Sequence, residues 1–262
     1  MKLSISNIAW SQDQDTAVYT RMKGEGYTGL EIAPTKVFGS DAYEKADEVK
    51  AWKKDLSAKY GFEISSMQSI CYGRKEAVFG QPEERASLLA HVKKAIDTAQ
   101  LLNCRNLVFG CPKNRIIPDG GDPKDAYEFF KEAGDYAFEH GTVLALEANP
   151  VIYGTNFINT TGEAIRYIEE VGSKGFLLNL DAGTMIENKE DISALEGKAK
   201  LINHVHDSEP YLAQIEKRVL HRDIAAFLAG IGYDGYVSIE TKTVDEISVL
   251  FNMMDYVREV FS

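Results

Sequence analysis

The chain has 262 residues, 44% hydrophobic and 26% charged, with 29 Lys and Arg against 40 Asp and Glu for a formal charge of −11. That composition supports a sizeable core and excludes a disordered chain, while the negative surface repels phosphate backbones and anionic headgroups, which argues against nucleic-acid and membrane partners. No apolar run approaches the roughly 18 residues of a membrane span, and the N-terminal MKLSISNIAW lacks a signal peptide's apolar stretch, so a cytoplasmic protein is expected.

Short β-rich runs alternate with helical segments from end to end, the pattern of a parallel sheet with crossover helices. Strands are predicted at residues 2–8, 28–33, 62–68, 105–110, 142–147, 176–181, 201–206 and 236–240. Several are unbroken apolar runs, such as Val143-Leu144-Ala145-Leu146, as expected of strands covered on both faces. Between the third and fourth strands, Leu88, Val92, Ile96 and Ala99 recur at helical spacing and mark one buried stripe. Before the fifth, Asp122-Pro123 reads as N-cap and first helical position, and His140 followed by Gly141 reads as last turn and C-terminal cap. Loops are short except after strands two, three and four.

Eight βα units of about 33 residues each fill the length as one (β/α)8 barrel, a single domain over residues 1–262. No Gly/Ser/Pro-rich linker, low-complexity tract or close repeat divides it. A doubly wound open sheet is the competing α/β fold, but no GxGxxG turn follows the first strand and no GxxxxGK[ST] loop occurs. Cys71, Cys104 and Cys111 make neither an even disulfide set nor a CxxC pair, which fits free thiols in a reducing compartment.

Barrel enzymes assemble their sites at the C-terminal ends of the strands, which converge on one open face. There the last four strands end on Glu147 (VLALE), Asp181 (FLLNLD), His206 (LINHVH) and Glu240 (YVSIE), separated by 34, 25 and 34 residues. Singly, each could cap the next helix or pair with a lysine. Jointly, three carboxylates are costly to bury together unless a cation neutralises them. Two glutamates, an aspartate and an imidazole suit one divalent ion, Mn2+, Co2+, Mg2+ or Zn2+, and the oxygen-rich set leans toward the harder metals.

Other polar residues at this face are candidates for substrate contact. Glu31 ends the second strand and could hydrogen-bond a ligand hydroxyl or orient a metal-bound histidine. Gln68 ends the third with a group that both donates and accepts. Lys113 and Arg115 in GCPKNR, with Lys242 as a third member, could grip a phosphate or carboxylate, or else pair with surface acids. His204 points the same way along its strand as His206. Trp10, Tyr72 and Phe79 could wall a ligand's apolar face or pack in the core. His91 and His140 read as structural or solvated.

The runs GLEIAP (29–34), LEANP (146–150), TNFINTTGEA (155–164), NLDAGT (179–184), HVHDSE (204–209) and IGYDGYVSIET (231–241) together resemble the xylose isomerase-like barrel superfamily. Within it the likeness is to sugar phosphate isomerase/epimerase and tagatose 3-epimerase-like members, and it covers nearly the whole chain. The resemblance implies that Glu147, Asp181, His206 and Glu240 hold the metal. It also implies that Glu147 and Glu240 exchange protons with opposite faces of a small-molecule sugar or sugar phosphate, making the chain a metal-dependent isomerase of carbohydrate metabolism. Removing a proton beside a carbonyl leaves an enediolate, whose negative oxygens a manganese-like ion stabilises.

Tagatose epimerase-like members usually carry a substrate-contacting histidine where this chain has Thr184, so a pocket different from theirs is expected at that position. Relatives often have a Gly-rich segment near the site where His221 lies, in RVLHRD. They are often homodimers or homotetramers. An inosose-type dehydratase would use the same metal site and is the alternative reading. An endonuclease IV-like phosphodiesterase needs more histidines than the five present, and a barrel that binds metal without catalysis would not need both glutamates.

Overall fold

Eight parallel strands close on themselves in chain order: β1 (Lys2–Ser6), β2 (Gly29–Ile32), β3 (Glu63–Met67), β4 (Leu107–Phe109), β5 (Leu144–Glu147), β6 (Phe176–Asp181), β7 (Ile202–Ser208) and β8 (Tyr236–Glu240), which pairs back to β1. The structure is a computed structural model describing residues 1–262. Around the strands run α1 (Asp15–Gly24), α2 (Pro34–Phe38), α3 (Ala46–Tyr60), α4 (Pro82–Leu102), α5 (Tyr127–Glu139), α6 (Thr161–Val171), α7 (Ala182–Asn188), α8 (Val219–Gly230) and α9 (Ile247–Phe261). The (β/α)8 barrel read from the sequence is therefore the fold. No helix is long and apolar enough to cross a membrane.

The helix signals act as their chemistry dictates. Leu88, Val92, Ile96 and Ala99 are all fully buried on the inner stripe of α4. The Asp122 carboxylate accepts from Lys124 N at 2.9 Å and caps a 3-10 turn that runs into α5. Gly141, at φ +71°, ends the same unit in the left-handed region that glycine tolerates.

Some strand bounds differ from expectation. β1 stops at Ser6 because Asn7–Ala9 winds into a 3-10 turn, and β4 is short because β3 pairs with it only at Met67 and Leu107. β7 runs on to Ser208, which stays paired with Glu240 of β8. The loop over residues 209–218, after β7, is a further long one that the sequence did not announce.

The interior of the barrel is not an apolar plug. Along β1, β2, β6 and β8 the aliphatic Leu3, Ile5, Leu30, Ile32, Leu178, Leu180, Val237 and Ile239 alternate with Ser4, Ser6, Glu31, Asn179, Asp181, Ser238 and Glu240. Since successive strand residues face opposite ways, one set lies against the helices and the other lines the barrel. The aliphatic set belongs to one hydrophobic cluster. The polar set, joined by Ser66, Gln68, Asn106, His204 and His206, is equally buried.

Register shifts at Leu30/Glu31, between β2 and β3, and at Leu178/Asn179, between β6 and β7, each insert one extra residue into the later strand. Such bulges re-aim side chains locally. The second sets His204 and His206 opposite Asn179 and Asp181.

Candidate metal centre

Glu147, Asp181, His206 and Glu240 converge at the C-terminal mouth, each offering a donor atom within 4.8 Å of the others. The centre is built around His206, which is fully buried. Its Nε2 lies 2.8 Å from Glu31 Oε2, so that nitrogen carries the proton and donates to the carboxylate. The other nitrogen, Nδ1, lies 2.8 Å from Glu147 Oε2 and 3.2 Å from Glu240 Oε2, yet is aligned with neither and makes no hydrogen bond. A lone pair facing two carboxylate oxygens is repulsive unless a positive charge sits between them. Burial opposes charge on the ring, but Glu31, Glu240 and Glu147 outweigh it and hold His206 well above its ordinary histidine range. A proton or a metal must therefore occupy that position, and the poor alignment of Nδ1 suits a metal better.

The remaining candidate ligands show the same demand for positive charge. Burial raises Asp181, and the neighbouring Glu147 carboxylate adds to the shift. Burial also raises Glu240, against the pull of His206. The donor set of three carboxylates and one imidazole thus fits a divalent ion, whose charge offsets that of the acids.

Glu147 and Asp181 are oriented by their neighbours. Asn149 Nδ2 donates to Glu147 Oε1 at 3.1 Å, and Asn179 Nδ2 donates to Glu147 Oε2 at 2.7 Å. An added Cβ at Gly110 would fall 3.0 Å from Glu147 Oε1, so glycine leaves room for that carboxylate. Asp181 does cap the next helix, accepting from Thr184 N at 2.8 Å, and its other oxygen accepts from the Ser208 hydroxyl. Capping and membership of the centre coexist, because a carboxylate has lone pairs for both. Glu240 has no partner but His206.

The first half of the barrel supplies an inner scaffold. Burial works to raise Glu31, but His206 and His204 outweigh it and hold the carboxyl well below the usual carboxylate range. His204 Nε2 lies 2.9 Å from Ser238 Oγ and 3.3 Å from Glu31 Oε2, and burial lowers it, so it is neutral. Gln68 Nε2 donates to Ser6 Oγ at 2.8 Å and reaches Glu31 Oε1 at 3.4 Å. Of the substrate candidates, Glu31, Gln68 and His204 are thus engaged within the barrel. Thr184 is engaged too, its hydroxyl 2.7 Å from both Asp181 Oδ2 and Ala148 O.

The predicted cations do not gather. Lys113 and Lys242 are exposed and pair with no carboxylate, whereas Arg115 is fully buried. Neither an anion grip nor a surface ion pair describes Arg115, because packing against Phe157 and Asn149 draws it inward. His221 lies outside the barrel behind β7, with Nε2 3.4 Å from Asp207 Oδ1 and Nδ1 3.2 Å from Tyr256 Oη. His91 bonds Ile70 O and His140 bonds Tyr136 O, so only two of the five histidines line the barrel. Trp10 is buried with Nε1 donating to Asp15 at 2.7 Å, Phe79 packs on Phe157, and Tyr72 is exposed. All three cysteines are unpaired.

Asn149, Asn179, Ser208 and Tyr153 are the residues that sequence reasoning missed. Asn149 and Asn179 each lie two residues from a ligand, so the period of two along a strand could have flagged them. Tyr153 could not be found that way. Burial and the nearby Asp181 carboxylate raise its phenol, and its oxygen accepts from Tyr211 N at 2.8 Å across the mouth.

Residues 20–259 match the model of the xylose isomerase-like TIM barrel family, and the chain belongs to that family. Among solved structures it is similar to 3-keto-D-glucoside 4-epimerase from E. coli in its apo form, at 20% identity and TM-score 0.78 over 99% of each chain. D-psicose 3-epimerase from Clostridium cellulolyticum H10, solved with D-tagatose, is similar at 18% identity and TM-score 0.80 over 100% of each chain. An L-ribulose 3-epimerase is similar at 18% identity and TM-score 0.75, over 99% of this chain and 92% of that one. No curated protein matches the chain in sequence.

Proposed function

We propose that this protein is a metal-dependent sugar epimerase or isomerase that works by exchanging a proton on carbon beside a carbonyl. The observation that carries the reading is the unpaired Nδ1 of His206, buried between the Glu147 and Glu240 carboxylates. Glu147, Asp181, His206 and Glu240 would hold one divalent ion. Once bound, it supplies positive charge to the enediolate oxygens that form as the proton leaves.

The chain's own groups divide the remaining work. Glu147 is fixed by Asn149 and Asn179 and stands ready on one side of the substrate, while Glu240 has no comparable restraint and can follow the proton on the other. Return of the proton from the opposite face inverts the centre, and return to the neighbouring carbon moves the carbonyl. Tyr153 stays protonated at the mouth and can donate to a sugar hydroxyl. The substrate is an uncharged sugar, because the site is rich in carboxylates and its one nearby arginine is buried against Asn149. The similarity in fold to structures named as sugar epimerases supports this reading.

Solvent-deuterium exchange into ketoses, ketoglycosides, inososes and ketose phosphates, followed by NMR with Mn2+ or Co2+ and repeated in EDTA, tests it. Metal-dependent exchange beside a carbonyl of an uncharged sugar is expected. A product lacking one water would instead indicate a dehydratase. A protein that retains no metal and exchanges no proton across the panel would refute the reading.

A further inference from the structure

Arg115 is the one buried side chain among the 29 lysines and arginines. Its guanidinium lies 5.9 Å from the Phe157 ring centroid, and Nη2 donates to Asn149 Oδ1 at 2.8 Å. Nε and Nη1 have no partner, and no carboxylate pairs with it directly. Burial lowers its pKa to about 10, so it is charged at neutral pH. A buried, under-paired cation is costly, and in a well-packed barrel that cost calls for a role.

We infer that Arg115 is a positioning residue for Glu147 and acts through Asn149. A guanidinium has donors only, so the Asn149 amide must turn its oxygen toward Arg115 and its nitrogen toward Glu147. That is the arrangement present, with Nδ2 3.1 Å from Glu147 Oε1. The Asn149 backbone is pinned at both ends, its N–H by Ile158 O and its carbonyl by Asn159 Nδ2. Rotation of the amide is restrained otherwise only by Nδ2 donating to Ala148 O at 3.1 Å. Without Arg115 the amide could present oxygen to the Glu147 carboxylate, withdrawing a donor and adding repulsion. The positive charge also polarises the amide and strengthens the bond to Glu147. Arg115 touches neither substrate nor reacting atoms, and its effect travels along one chain of two hydrogen bonds.

The inference rests on Glu147 being a metal ligand, so its test reads the metal as well as turnover. Mn2+ affinity is measured by the EPR signal of free ion for the wild type, Arg115→Met, Asn149→Ala and the double variant, with folding followed by thermal melting. Each single variant is expected to weaken Mn2+ binding by about tenfold or more, the usual effect of losing an outer hydrogen-bond partner. The double variant is expected to be no worse than Asn149→Ala, since both lie on one path. Turnover should fall through kcat with KM little changed.

Wild-type affinity in folded Arg115→Met, or multiplying losses in the double variant, would overturn the inference while leaving the metal centre standing. Should Arg115→Met not fold, Asn149→Asp takes its place. An acid there pairs with Arg115 and removes the donor from Glu147, so unchanged Mn2+ affinity in that variant would equally overturn it. A wild-type protein that binds neither Mn2+ nor Co2+ would refute the metal centre and this inference together.

Discussion

The two halves of the barrel share one open face but contribute different things to it. β5 to β8 each carry, at or near the C-terminal end, a group that can bind a cation, namely Glu147, Asp181, His206 and Glu240. β1 to β3 carry, at or beside their ends, groups that orient others: Ser6 accepts from Gln68, Gln68 reaches Glu31, and Glu31 accepts from His206. The loop after β4 adds Arg115 behind Asn149. Candidate ligands and their supports are thus segregated by sequence and interleaved in space, so damage to either half should leave a distinct signature.

The largest effects belong to the second half. Glu147→Gln and Glu240→Gln should each lower metal-dependent proton exchange by about 10²–10⁴-fold, the range attributed to a positioned acid or base, as read by deuterium incorporation. If both variants kept full exchange, the contrast between the halves would collapse. Next comes Glu31→Gln, which removes the acceptor that fixes the His206 tautomer. It should weaken Mn2+ binding by roughly 10–100-fold, measured by titration calorimetry, with the melting temperature as control.

A smaller effect follows from charge. The folded state holds His206 well above its ordinary 6.5, so it binds a proton that the unfolded chain releases as pH rises. Its contribution to stability is complete below that ordinary value and is lost as pH climbs through the raised one. Protein in EDTA should therefore lose several degrees of melting temperature on the alkaline side of neutrality, at about 2–4 °C per kcal/mol for a chain of this size. Mn2+ should remove that dependence by taking the proton's place. A flat EDTA profile above neutrality would mean that the carboxylates around His206 exert no such hold. Smallest of all, Lys113→Ala and Lys242→Ala should change kcat/KM for an uncharged sugar by less than about twofold, as exposed charges away from special features usually do. A loss confined to a sugar phosphate would give these lysines the anion-binding role that the proposed substrate does not need.

The same division explains what could be read from the sequence. Glu147, Asp181 and Glu240 close their strands and His206 lies two residues before the end of β7, and the direction of each depends only on strand count and on the alternation of side chains, both local properties. The burial of Arg115 is not legible in the sequence because it is decided by Phe157 and Asn149, residues more than thirty positions away that only the closed barrel brings to it. Thr184 and Gln68 could be placed at the mouth, but not their partners. Whether a polar group meets substrate or a neighbouring side chain depends on rotamers and distances that spacing does not encode. Tyr153 joins Tyr211 across two loops, where periodicity carries no information. The 3-10 turn after β1 and the early end of β4 reflect pairing with adjacent strands, again a non-local matter.

Because the outward aliphatic residues of β1, β2, β6 and β8 pack against the helices while the axis is lined with serines, amides, imidazoles and acids, cohesion and chemistry occupy separate shells of the molecule. A lineage carrying this barrel can exchange one axial donor for another and still inherit a folded protein, so drift in reactivity is uncoupled from loss of the scaffold. Descendants could then differ widely in the ligands they accept while remaining superimposable in outline.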